Sequence, residues 1–249
     1  MTTTPRELKQ NLAGQLALVT GAAGGLGAAL TIALAANGAT VVACDVNVEV
    51  LDQVASGAGG RVHPQMMDLR DPEQIQRCVS EVTEQHGDID IVAHAAIRHF
   101  AADDGNELRA FTNHTPTQVL ETLAVAITGP TLLTQLVAQR MVARRTGRIV
   151  FTGSMHRNGA AGLAMYAAAK AYLNTLARGL FLELREYDVT TMVSNPGGMH
   201  TGLHQHRYPW MLDPAIVADT IVGTLLQPRN VALLSFDMVP HNVEHPDGF

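Results

Sequence analysis

Hydrophobic positions along this chain fall into short, nearly continuous runs, separated by longer stretches in which apolar residues recur every three or four positions. Runs of the first kind suit strands buried on both faces of a sheet, and stretches of the second suit helices that cover it. Seven strands are expected: Leu16 to Thr20, Thr40 to Cys44, Val62 to Met66, Ile89 to Ala93, Arg148 to Thr152, Thr190 to Ser194 and Val231 to Ser235. Helices are expected over Gly25 to Asn37, Pro72 to His86, Pro116 to Arg144, Met165 to Arg185 and Pro214 to Leu226. Asp71-Pro72 and Asp213-Pro214 read as an N-cap followed by the proline that a first helical turn accepts. This alternation predicts an α/β chain: a doubly wound parallel sheet of about seven strands with helices on both faces.

Two segments break the rhythm, 98–115 and 198–213. Each follows a strand and is rich in polar, aromatic and histidine residues. Open α/β sheets bind ligands beyond the carboxyl ends of their strands, so both are candidate substrate loops.

Composition narrows the picture. At 249 residues, 47% apolar and 16% charged, the chain can bury a large core, and one domain over 1–249 is expected. A formal charge of −6 and a pI near 6.0 give no basic field for a phosphate backbone, so no nucleic-acid partner is expected. Residues 1–10 lack the apolar core of a secretory signal, and apolar stretches are interrupted before the roughly 20 residues that span a bilayer. A cytoplasmic protein with no membrane segment is therefore expected. Cys44 and Cys78 stand in no metal-ligand spacing and read as buried free thiols.

The first expected strand runs into Thr20-Gly21-Ala22-Ala23-Gly24-Gly25-Leu26-Gly27 and then an Ala-rich helix. Glycines there permit a tight turn and let backbone approach a pyrophosphate, whose charge then sits at the positive end of the helix. Asp45 stands at the end of the next strand, about 20 residues on, where a carboxylate bonds a ribose 2′-hydroxyl and repels a 2′-phosphate. NAD is favoured over NADP on that ground. Asp68, after the third strand, is placed to receive the adenine amino group, or equally to cap a helix.

Tyr166 and Lys170 lie four apart in a helical segment and so share one face. An ammonium beside a phenol stabilises the phenolate, which suits Tyr166 to general acid/base work. Ser154, twelve residues earlier at the end of an expected strand, offers a hydroxyl to hold the substrate oxygen.

Taken together, these blocks resemble the short-chain dehydrogenase/reductase family, an NAD(P)-binding Rossmann-fold group of oxidoreductases. The resemblance runs from Gly14 to about Pro240. It rests on the turn Thr20 to Gly27, Asp68-Leu69, the strand Ile91 to Ala93, Ser154 with Tyr166-x-x-x-Lys170, and Pro196-Gly197-x-x-x-Thr201. It implies that Tyr166 exchanges the proton, Lys170 lowers its pKa and binds the nicotinamide ribose, and Ser154 positions the substrate. It further implies that Thr201 and the Pro196-Gly197 turn hold the nicotinamide amide. Gly21, Ala23, Gly25, Leu26, Gly27, Asp45, Val46, Asp68, Leu69, Ala95 and Met199 complete the implied cofactor set. The implied reaction is reversible hydride transfer between NAD and a small alcohol, ketone or hydroxy acid, without a metal, in a homodimer or homotetramer.

Three departures stand against the family pattern. The usual V-N-x-x-G stretch, whose Asn anchors a water in the proton relay, reads Val125-Ala126-Ile127-Thr128-Gly129, and an alanine side chain neither donates nor accepts. The N-N-A-G turn reads His94-Ala95-Ala96-Ile97, with a β-branched residue in place of Gly. Ser154 is one residue nearer the tyrosine than usual, which leaves Thr152 as the weaker alternative.

Histidines gather in the variable segments: His94, His99, His114, His156, His200, His204 and His206. They are either solvated loop residues or, with Arg98 or Arg157, the groups that meet a polar or anionic substrate. His99, His156, Arg157 and Trp210 are the substrate candidates, and Tyr208, Trp210, Met211 and Leu212 form a candidate lid or subunit contact. His200 and His204 have metal-ligand spacing but no acidic or thiol neighbours, so no metal is expected. Two other readings stay open: an NAD-binding sensor weakened at Ala126, and an NAD-dependent epimerase or lyase.

Overall fold

The computed structural model describes residues 11–98, 100, 110–201 and 210–241. Their strands are β1 (Leu16–Thr20), β2 (Thr40–Asp45), β3 (Val62–Met66), β4 (Ile91–His94), β5 (Gly147–Thr152), β6 (Val189–Pro196) and β7 (Ser235–Met238). All pair in parallel in the order β3-β2-β1-β4-β5-β6-β7. The order reverses between β1 and β4, and such a reversal opens a crevice at the carboxyl ends of the strands.

Seven helices cover the sheet among the described residues: α1 (Gly25–Ala36), α2 (Val48–Ser56), α3 (Pro72–His86), α4 (Pro116–Leu123), α5 (Gly129–Arg144), α6 (Ala164–Leu184) and α7 (Pro214–Leu225). Helices α1, α2 and α7 pack on one face around Ala17, Val19, Val41 and Val150, whereas α3, α5 and α6 pack on the other around Leu18, Val42, Val92 and Phe151. Neighbours such as Leu18 and Val19 face opposite cores. That is why β1 reads as a continuous apolar run rather than an alternating one.

Differences from the sequence expectation fall at edges and breaks. β3 is an edge strand and alternates, with Met66 half exposed, instead of being buried throughout. β7 lies about four residues beyond its expected position: the run Val231 to Leu234 leads into the sheet irregularly, and the strand forms where Phe236 pairs with Ser194. An edge strand has only one neighbour, so pairing register and not apolar content fixes its place. Helix α2 has no counterpart among the expected elements, because only Leu51 is buried along it; the Asn47 side chain caps it by accepting from Val50 N.

The expected helix Pro116 to Arg144 is broken by a π-turn over Ala124–Thr128. Pro130 has no N–H and its ring crowds the carbonyl four residues earlier, that of Ala126, so a regular α-helix cannot run through. This stretch, contrary to expectation, is long and apolar enough to cross a membrane by length and composition, with a mean hydropathy of 1.3. In this fold it lies against the sheet, with Leu133, Val137 and Met141 in the core.

Candidate functional site

The glycine-rich turn between β1 and α1 is fixed by steric need. Gly21 has φ +68°, and a Cβ there would lie 2.6 Å from Ala96 Cα. A Cβ at Gly27 would meet Gly21 O at 2.0 Å, and one at Gly25 would meet Thr201 Cγ2 at 2.8 Å. The turn thus folds back on helix α1, touches the residues after β4, and receives Thr201 from the segment after β6. The end of β2 holds it from the other side: Ala22 N donates to Cys44 O (3.1 Å) and Ala23 N to Asp45 Oδ2 (3.1 Å).

Beside the turn lies a cleft of about 740 Å³. Gly21, Ala23, Asp45, Val46, Asp68, Leu69 and Ala95 from the expected cofactor set line it, with Asn47, Arg70, Ala96, Arg98 and Val125. Asp45 Oδ1 accepts from Asn47 N (3.1 Å), so the carboxylate is steered by two main-chain donors. Asp68 does not stand alone. Arg70 Nη2 lies 2.6 Å from its Oδ2 and holds the carboxyl below its usual pKa, and Arg70 N donates to its Oδ1. Arg70 and Arg98 also reach Glu121 on α4 (3.7 and 3.6 Å), which places two guanidinium groups at one rim of the cleft.

Gly25, Leu26 and Gly27 open α1, while Pro196, Gly197, Met199 and Thr201 lie at the far end of the turn, outside the lining of that cleft. Met199 bridges to Leu212, His200 N donates to Leu212 O, and Trp210 packs 3.1 Å from where a Gly198 Cβ would lie. Trp210, Met211 and Leu212 of the expected apolar cluster therefore sit against Gly198 and Met199. His99, His204, His206 and Tyr208 lie outside the described residues.

Ser154, Tyr166 and Lys170 converge. Ser154 follows β5 and is buried; its Oγ accepts from His156 N (3.1 Å) and hydrogen-bonds the Tyr166 phenol. Burial raises the Tyr166 pKa above the ordinary phenol value, and the bond from Ser154 opposes the shift. Lys170 is buried, and desolvation lowers its pKa from 10.5 to about 8. Its Nζ donates to Thr152 O (2.7 Å) and lies 5.5 Å from the Tyr166 ring centroid. The lysine is thus beside the tyrosine, yet in this state burial and not the ammonium dominates the phenol.

Two asparagines outside the sequence motifs hold this group together. Asn195 Oδ1, at the end of β6, accepts from Ser154 N (3.2 Å) and from Asn174 Nδ2 (3.0 Å). Asn174 sits one turn after Lys170 and also donates to Lys170 O (2.9 Å). A Cβ at Gly153 would fall 2.0 Å from Asn195 Oδ1, so the residue before Ser154 must be glycine. The sequence carries only a faint signal for this: Asn195 directly follows the expected strand Thr190 to Ser194, and an amide buried there must be hydrogen-bonded.

The substrate candidates divide. His156 and Arg157 occupy a short 3₁₀ turn directly after Ser154, but Arg157 Nη2 pairs with Asp237 of β7 (3.0 Å) and its Nη1 reaches Ser154 O (3.3 Å). That guanidinium ties the turn to the sheet edge. A narrow crevice beside Tyr166 is lined by Arg98, Phe100, Phe111, His114 and Leu163, so described residues of the first loop do reach the tyrosine.

His94, in the place of the family's first turn asparagine, stacks on Phe151 (4.9 Å) and meets Thr134 Oγ1 through Nε2 (2.9 Å). Burial lowers its pKa from 6.5 to about 3. Between those values the unfolded chain binds a proton that the folded chain refuses, so the stability contribution is whole above 6.5 and is lost as pH falls toward 3. The thermal midpoint is expected to drop across this window, with a shallower slope in His94→Asn. An unchanged slope in that variant would remove His94 from the acid response.

Known proteins place this arrangement. The family model for short chain dehydrogenases matches residues 15–212. A 2,3-dihydro-2,3-dihydroxybenzoate dehydrogenase from Bacillus subtilis is 32% identical over 209 residues, 78% of this chain and 73% of that protein. A 3-oxoacyl-[acyl-carrier-protein] reductase from Thermotoga maritima is 29% identical over 232 residues, 89% of this chain and 88% of its own. The crystal structure of a metagenomic short-chain oxidoreductase in complex with NADP superposes with a TM-score of 0.81 at 27% identity, covering 93% of this chain and 99% of the other. With its seven-stranded parallel sheet, glycine-rich turn and Ser-Tyr-Lys group, this chain belongs to the short chain dehydrogenase family of oxidoreductases.

Proposed function

We propose that this protein moves a hydride between NAD and a small secondary alcohol, ketone or hydroxy acid, with Tyr166 as the proton-exchanging group. The observation that carries the reading is the convergence of Ser154, Tyr166 and Lys170, with Arg98 lining both the crevice at Tyr166 and the cleft that Asp45 lines. Bound NAD supplies the hydride acceptor. Ser154 holds the substrate oxygen, Tyr166 takes or gives its proton, and Lys170 orients the ribose and favours the phenolate once the site is filled. Thr201 and the Pro196-Gly197 turn would hold the carboxamide end, and segments 98–115 and 198–213 shape the substrate pocket, with His156 and Trp210 as candidate substrate contacts.

The absent relay asparagine is met by the main chain. Pro130 cannot donate to the Ala126 carbonyl as an α-helical residue would, which leaves that oxygen with capacity to hold a water in the relay. A catalytically silent NAD sensor is the reading that Ala126 favours. Tight NAD binding without turnover across alcohols and ketones would select it, while substrate conversion without net change in nicotinamide absorbance would select an epimerase or lyase.

Preference for NAD rests on this chain's own Asp45, followed by Val46 and Asn47 rather than by a cation. A 2′-phosphate would meet that carboxylate, and such like-charge contacts cost several kcal/mol. Wild-type kcat/KM is expected to favour NAD by about 100-fold, and Asp45→Asn to narrow the ratio by about tenfold. Preference for NADP in the wild type would overturn the assignment. Apolar residues exposed on α4 and α6, Leu120 at 66% and Leu182 at 53%, support assembly as a homodimer or homotetramer.

A further inference from the structure

Two thiols outside the catalytic group lie close together under the cleft. Cys44 ends the buried part of β2 and Cys78 sits on the inner face of α3; both are buried, and their Sγ atoms are 3.9 Å apart. Cys44 also belongs to the cleft wall, so the buried sulfur pair lies directly beneath that wall. A disulfide needs a separation of about 2.05 Å, within reach of modest side-chain shifts from 3.9 Å.

The position of Cys44 gives such a bond a consequence. Its carbonyl holds Ala22 N, and the next residue, Asp45, holds Ala23 N. A pull on Cys44 toward α3 therefore acts on the glycine-rich turn through two hydrogen bonds. The turn has no slack to absorb it, because Gly21 already touches Ala96 and Gly27 already touches Gly21.

We propose that Cys44 and Cys78 form a reversible disulfide that weakens dinucleotide binding, making the cleft sensitive to hydroperoxides. The effect on binding rests on the reading of this cleft as the NAD site; formation of the bond does not. The hydrogen bond with Cys44 lowers the Cys78 pKa and so favours the thiolate there. The thiolate attacks one oxygen of hydrogen peroxide, the O–O bond breaks, and a sulfenic acid and hydroxide form. The second thiol then displaces the sulfenic hydroxyl, and the two thiol protons leave with two hydroxides as two waters. Each sulfur is oxidised by one electron overall, and the peroxide takes both.

The test treats native protein with hydrogen peroxide, maps thiol peptides by mass spectrometry, and measures NAD affinity by titration before and after dithiothreitol. The expected result is a cross-linked Cys44–Cys78 peptide, an affinity at least about tenfold weaker, and recovery on reduction. Cys78→Ala is expected to bind NAD as the wild type does and to show no reversible loss. Oxygen adducts on either cysteine without the cross-link would overturn the proposal, as would a cross-linked protein that binds NAD unchanged. If reduced wild type binds no NAD, the site reading fails instead, and the cross-linked peptide alone decides whether the disulfide forms.

Discussion

Tyr166→Phe is expected to lower kcat by roughly 10² to 10⁴-fold, the range that a positioned general acid or base contributes, while NAD affinity stays within a factor of about three. The substitution removes one oxygen. The ring keeps its place on α6 and Lys170 keeps its bond to Thr152 O. Burial holds the phenol above its ordinary pKa, so the neutral form dominates near pH 7 and alcohol oxidation is expected to rise with pH in the wild type. The residual rate of the variant should lose that rise. Steady-state kinetics against pH, paired with a binding titration, separates the outcomes: equal loss of binding and turnover would contradict the role given to the phenol.

Gly21→Ala is expected to abolish measurable NAD binding and to destabilise the fold by about 1–3 kcal/mol, as overpacking does. Two costs coincide there. A φ of +68° disfavours any Cβ, and the added carbon would stand 2.6 Å from both Ala96 Cα and Ala96 N, backbone atoms in the segment just after β4. Gly14→Ala is the control, since its φ is also positive, +78°, but nothing lies within 4 Å of the added carbon. Thermal unfolding and NAD titration of both variants would show whether the contact or the dihedral angle dominates. Comparable losses in the two would assign the effect to backbone angle alone and remove the close approach from the argument.

Much of this site is legible in the order of residues along the chain. The continuous runs around Leu18, Val42, Val92 and Phe151 require a sheet covered on both faces, and the glycine pattern from Gly21 to Gly27 requires close backbone approach. The helical spacing of Tyr166 and Lys170 places both on α6. Arg157 illustrates the limit. In the sequence it is a cation near Ser154 and thus a candidate for substrate, whereas in the fold it pairs with Asp237, eighty residues away. The same holds for Asp68, whose partner Arg70 is near in sequence but becomes one only through the turn that follows β3.

The sequence by itself determined the fold class and where the glycine-rich turn, Ser154, Tyr166 and Lys170 fall relative to strands and helices, because these depend on local periodicity and spacing. Tertiary structure alone decided the position of β7, the break at Ala124–Thr128, the Asn195 amide that joins Ser154 to α6, and the contact between Cys44 and Cys78. Each of those four depends on which distant backbone or side chain comes within hydrogen-bond or van der Waals range. Pairing at that distance is set by the packing of whole layers against one another, which no short window of residues encodes.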